Sequence, residues 1–201
     1  MRLSRRCSWA ILICAAAPVS VAAAAPEKPK PASAASDNRD MTAIFNADQA
    51  DRKNIGSVDW SVVGPRDDAR RSRTKALLDS GQLRTGTDFW HAAFVFQHGD
   101  KPGDFLLAHT LAVIAAARGR TDATWIAAAT LDRYLQWIGQ KQIYGTQFVT
   151  PNGGHTTQEP YDRALVSDAL REALGVPPIN AQEEQRKKFE AEFRGAKAAQ
   201  P

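Results

Sequence analysis

Lys101–Gly119, KPGDFLLAHTLAVIAAARG, is the stretch on which the fold turns. From Phe105 to Ala117 it is apolar nearly all round, the pattern of a central buried helix. It is too short, and too broken by His109 and Thr110, to cross a membrane, which takes about 20 apolar residues. Working outward, Thr87–Gly99 (TDFWHAAFVFQHG) reads as a helix with a Thr87 or Asp88 cap and a stop at Gly99. Thr121–Gly139 (TDATWIAAATLDRYLQWIG) opens on a Thr or Asp cap and closes at Gly139. Gly64–Gly81 (GPRDDARRSRTKALLDSG) puts Pro65 in a first turn, acids early and bases late, an order that complements the helix dipole. Asp40–Asn54 (DMTAIFNADQADRKN) reads as the first helix.

Beyond Gly139 the helical spacing fails. QKQIYGTQFVTPNGGH, Gln140–His155, is poor helix material, and Phe148–Thr157 predicts a small hairpin turned by PNGG, since Asn and Gly tolerate positive φ. Glu159–Gly175 resumes as helix and stops ahead of Pro177 and Pro178. Asn180–Gly195 carries Glu183→Lys187 and Glu184→Lys188 pairs at i,i+4, with only Phe189 and Phe193 as a docking stripe. Truncation before Ala181 is therefore expected to cost little stability. The expectation is an all-α, compact multi-helix domain over residues 40–179 with one β-hairpin insertion near 148–157. A charged helix or tail follows at 180–201.

The first 25 residues have the layout of a secretory signal peptide: Arg2, Arg5 and Arg6, then an apolar stretch from Trp9 to Ala17, then small residues. A secreted, periplasmic product is expected, with residues 26–39 (beginning PEKPKPASAAS) as an extended linker. The leader would take both cysteines, Cys7 and Cys14, leaving no thiol, disulfide or thiolate metal site. It would also take three of the 26 Lys and Arg, against 22 Asp and Glu, so the remaining chain is close to neutral. That removes the case for a nucleic-acid partner that a pI near 9.2 suggests. No stable membrane insertion is expected after cleavage.

Four polar clusters interrupt the apolar pattern. Gln97 and His98 close one helix, and Asp132-Arg133 sit on the next-but-one, with Asp132 in line with Trp125, Ala128 and Ala129. Gln142, Tyr144, Thr146 and Gln147 fill the break, and Asp48, Gln49 and Arg52 lie on the first helix. Each has an ordinary structural reading. His98 before Gly99 fits a C-terminal cap, His109 a satisfied core histidine, His155 an exposed one. Asp132-Arg133 fits an ion pair or a helix-to-loop clamp, and the glutamines fit partners for backbone left open where a helix stops. No metal is expected: H-E-x-x-H is lacking, and His91 and His98 lie two turns, about 10 Å, apart. No phosphate loop, G-x-S-x-G or other cofactor motif is present, so no cofactor is expected.

FVFQHG, AAATLDRYLQWIGQKQIYGTQF and LREALGVPP together resemble an uncharacterised family of bacterial helical proteins with a QH…DR…Q-x-YGTQ signature and an R-x-x-x-G-[LV]-P-P tail. The resemblance covers roughly Asp40 to Pro178. It implies a shared fold of unassigned function and points to Gln97, His98, Asp132, Arg133, Gln142, Tyr144, Gly145, Thr146 and Gln147. The favoured expectation is a binding or interaction module. The alternatives are a hydrolase in which Asp132 orients His98 as general acid/base beside Arg133 and Tyr144, and a structural envelope protein. A sealed network would mark a clamp, and an opening onto His98 a site.

Overall fold

Four helices are started by side chains that accept the first free backbone N–H groups, and those caps set the boundaries. The computed structural model describes residues 35–53, 58–151 and 154–198, with no side chains described beyond 195. The expected signal peptide and most of the linker lie outside these residues. Among them run seven helices: α1 Arg39–Ala50, α2 Trp60–Asp79, α3 Gly86–Phe96, α4 Pro102–Ala117, α5 Ala123–Trp137, α6 Asp168–Ala173 and α7 Ile179–Ala198. The all-α expectation holds.

Asn38 caps α1 through Met41 N at 2.9 Å, and its own N–H donates to Asp88 at 2.7 Å. Asp37 accepts from the Thr85 hydroxyl at 2.6 Å, so the folded part already includes the end of the expected linker. α3 is capped by Thr85 rather than by Thr87 or Asp88. Thr85 and Asp88 form a reciprocal capping box, in which Asp88 is the third residue of the helix. α2 begins at Trp60, capped by Asp59, so Pro65 lies inside it and not in its first turn.

α4 packs between α3 and α5, α1 lies on α3, and α2 touches α1 and α3. The shared core is rich in alanine: Ala92, Ala93, Ala108, Ala112, Ala115 and Ala129, with Met41, Leu111 and Ile126 among them. Small side chains let the helices approach closely. α4 is buried on one side only. Leu106, Thr110 and Val113 face solvent, because no further helix among the described residues covers that side.

The hairpin expected at 148–157 is not seen. A single antiparallel bridge joins Val149 and Thr157, through N–H···O bonds of 2.9 and 2.8 Å, and no strand extends from it. Thr150 and Thr156 bond each other through their hydroxyls at 2.8 Å, and Asn152 and Gly153 lie outside the described residues. Nor is Glu159–Val166 helical. Asp162 there accepts the N–H groups of Ala164 and Leu165 in a local turn, and helix resumes only at Asp168 after the Ser167 cap.

Candidate functional site

Asp132 and Arg133 are neighbours on α5, linked through Gln147 and the Thr146 hydroxyl, yet they face different surroundings. Asp132 is fully buried. Its Oδ1 accepts the N–H groups of Ile143 (2.8 Å) and Tyr144 (3.0 Å), and its Oδ2 accepts the N–H (3.0 Å) and hydroxyl (2.8 Å) of Thr146. Four donors satisfy this buried carboxylate, which has no ion-pair partner among the described residues. The chain after Gly139 is thus wrapped round one carboxylate.

The glutamines complete that wrapping. Gln142, with no exposed surface, donates to the carbonyls of Gln147 (3.0 Å) and Gln158, and accepts from Gln147 N at 3.0 Å. Gln147 donates to Ala129 O at 3.1 Å and to the Thr146 hydroxyl at 3.0 Å. Tyr144 contributes its main chain. Its carbonyl takes the Tyr161 hydroxyl (3.0 Å), Gln182 Nε2 (2.9 Å) and Arg171 Nε (3.3 Å), while its phenol makes no hydrogen bond to the described residues. Burial first, and then the charge of Asp132, push the Tyr144 phenol above its ordinary value. Gly145 holds φ at 82°, and a Cβ there would overlap Gln182 Oε1 and the Tyr161 hydroxyl. Asp132, Gln142, Thr146 and the backbone of Tyr144 form a clamp whose centre, Asp132 and Gln142, is fully buried.

Arg133 points the other way, into a cleft of about 540 Å³ that opens to solvent between α2, the ends of α3 and α5, and α4. Its Nη1 donates to Gln97 O at 2.6 Å and its Nε to Gln147 Oε1 at 3.0 Å. Arg71 Nη1 donates to His98 O at 2.8 Å. Two guanidiniums therefore cap the end of α3, where carbonyls and the helix dipole favour cations. The expected cap, His98, does something else. Its Nδ1 lies 3.0 Å from Asp48 Oδ1, while its Nε2 makes no hydrogen bond to the described residues. Gln97 lines the cleft beside it.

Asp48 is the partner that the hydrolase expectation had assigned to Asp132. The two carboxylates are in separate assemblies, and Asp132 does not reach His98. Asp48 is 1% exposed and also accepts from Gln49 (2.8 Å) and Arg52 (3.0 Å). Arg52 pairs in turn with Asp67, which also takes Arg70 at 2.9 Å. Arg71 pairs with Asp68 and lies 3.9 Å from Asp100. Every carboxylate on the cleft wall thus has an arginine, whereas Arg133 has no carboxylate within ion-pair distance among the described residues. Burial alone pushes its pKa below the ordinary arginine value.

Sequence reasoning singled out Asp48 and Arg52 without giving them His98 as a partner. It assigned no role to Arg71, Gln158, Tyr161, Arg171 or Gln182. Arg171, 1% exposed, lies in the quoted LREALGVPP segment, but Gln158 and Gln182 carry no local signal at all. Among the described residues, no group of three or more His, Cys, Asp or Glu side chains is placed to hold a metal ion. No helix among them is long and apolar enough to cross a membrane. No family model, curated protein or solved structure matches the chain.

Proposed function

We propose that this chain is a secreted, periplasmic binding module whose cleft takes a small ligand by a compact anionic group. One observation carries the reading: Arg133 faces the cleft with no carboxylate partner, while each lining aspartate already has its arginine. Nε and Nη1 of Arg133 are held by Gln147 and Gln97, while Nη2 makes no hydrogen bond to the described residues and keeps its donors for a carboxylate or phosphate oxygen. His98 stands beside it with Nε2 open, and Phe105 lies beneath, its ring centroid 5.8 Å from the Arg133 guanidinium carbon. Such a mixture of apolar wall and few convergent polar groups is what a small-molecule site needs. The cleft counts against a purely structural envelope role.

The experiment is a calorimetric titration of the chain with inorganic phosphate and with acetate. At least one anion should bind with a stoichiometry near one, and Arg133→Ala should weaken it by about 10-fold or more. Equal affinity in the variant, or no binding of either anion, would sink the reading. Export has its own check. Expressed with its leader in a Gram-negative host, the protein should leave the cytoplasm with an N-terminus between residues 22 and 27, read by intact mass.

The resemblance through QH, DR and YGTQ is proposed as one of fold. What supports it is that Asp132, Gly145, Thr146 and Gln147 belong to one interlocked unit here, with a physical reason for each residue type.

A further inference from the structure

We infer that the cleft is a hydrolytic centre for phosphate monoesters, with His98 Nε2 as general base and Asp48 as the residue that positions it. The inference rests on the anion-binding reading above. An aspartate on Nδ1 fixes the neutral tautomer that carries its proton on Nδ1, so the lone pair is on Nε2. It also stabilises the imidazolium that forms when Nε2 takes a proton. The contrast in exposure suits that division: the Asp48 side chain is 1% exposed and the His98 side chain 18%. A buried carboxylate behind a reachable imidazole is the arrangement that proton transfer requires.

The remaining lining selects the reaction. Among the described residues no Ser, Thr or Cys lines the cleft, and the lining carboxylates of Asp67, Asp68 and Asp100 are engaged by arginines, so the inference takes water as the nucleophile. The stabilising groups are guanidiniums, whose spread charge suits the oxygens of a transferring phosphoryl group. Arg133 is the guanidinium not already held by a carboxylate. In the step, His98 Nε2 takes a proton from water as the water oxygen bonds to phosphorus. The P–O bond to the leaving alcohol breaks on the opposite side of phosphorus, that oxygen takes a proton from solvent, and His98 returns its own proton to solvent. Monoester and water become alcohol and inorganic phosphate, and His98 ends neutral. Trp60, 56% exposed on the rim, offers a flat face to an aromatic leaving group.

The test is hydrolysis of p-nitrophenyl phosphate by the chain without its leader, across pH 4–9, beside phosphate titration of the same samples. The wild type should release p-nitrophenol, and His98→Ala should lose about 100-fold or more in kcat. Asp48→Asn should lose about 10-fold in kcat with KM changed by less than about 3-fold, and should move the acid limb of the pH profile. A merely structural Asp48 would lower the active fraction and leave that limb in place. Asp48 also holds Arg52, so if Asp48→Asn fails to fold, His98→Gln decides alone by the same loss of kcat. Release no faster than that of His98→Ala overturns the inference. If phosphate still binds, the anion-binding reading survives that failure, and if phosphate does not bind either, both fall.

Discussion

Replacing Asp132 by Asn keeps its shape but puts an NH₂ group where Oδ1 or Oδ2 now accepts two donors. The variant should lose about 3 kcal/mol in urea unfolding, and Gln147→Ala about 1 kcal/mol. Both side chains meet the Thr146 hydroxyl, so the double variant should lose less than the sum. Additive losses would mean that the two are independent. Gly145 permits a cleaner comparison. Gly139 also has a positive φ, 73°, but open space round it. Gly139→Ala should cost about 1 kcal/mol from backbone strain alone. Gly145→Ala should cost at least about 2 kcal/mol more, because its methyl group collides with Gln182 and Tyr161. Similar losses at the two positions would show that the clamp yields to a methyl group.

At the scale of the element, α7 is the helix whose role changes most. Its outward residues read as a solvated tail, and Phe189 and Phe193 are indeed 36% and 41% exposed. Gln182, however, is 1% exposed and donates to Tyr144 O at 2.9 Å and Pro177 O at 2.7 Å. It accepts from Gln158 Nε2 at 3.0 Å and the Tyr161 hydroxyl at 3.2 Å. Truncation before Ala181 removes that hub, so the expectation of a cheap truncation is withdrawn. Gln182→Ala should cost about 2 kcal/mol, a fall in Tm of about 4–8 °C, whereas Phe193→Ala should stay within about 0.5 kcal/mol. Equal effects in a thermal melt would return α7 to the status of a tail. α1 and α2 are joined differently, by ion pairs among Arg52, Arg70, Asp48, Asp51 and Asp67.

For the whole molecule, acid should lower stability in two steps. His91 is buried against Phe45, ring centroids 4.2 Å apart, and its Nδ1 has no hydrogen-bond partner among the described residues. Burial first, and then the charge of Arg120, hold its pKa below the ordinary 6.5. Above pH 6.5 neither state binds that proton. As pH falls below 6.5 the unfolded chain takes it up and the folded chain resists, so stability is lost until pH passes the lowered folded value. Asp88 adds a second stage. Burial raises its pKa, but the N–H groups of Thr85, Arg84 and Asn38 outweigh burial and hold it below 3.8. Its contribution is present above pH 3.8 and lost as pH falls through the folded value. Urea midpoints from pH 8 to 3 should therefore fall first below 6.5 and again below 3.8. His91→Phe should abolish the first fall and leave the second. A first fall that persists in His91→Phe would assign it elsewhere.

The helices themselves were legible because each is a local matter. The 3.6-residue spacing, the small residues of α3 to α5 and the glycine stops at Gly81, Gly119, Gly139 and Gly175 act within a few residues of chain. The polar residues of the clamp were also legible as types, since Asp132, Gln142 and Gln147 interrupt apolar surroundings where an unpaired group would be costly. Where the reading failed, the deciding partner was distant. Thr85 outcompeted Thr87 as cap because Asp88 could also serve Asn38, 50 residues away. Ahead of the expected hairpin, the carbonyls of Tyr144, Gly145 and Gln147 are satisfied by the side chains of Gln182, Gln158 and Gln142, partners that no local pattern names. Asp48 became the partner of His98, and Asp132 did not, because α1 packs on α3 while the Asp132 carboxylate is taken up by the loop after Gly139. Sequence alone determines which groups must be satisfied, since that cost is carried by each residue. Which partner satisfies them depends on distances that only the packed helices set.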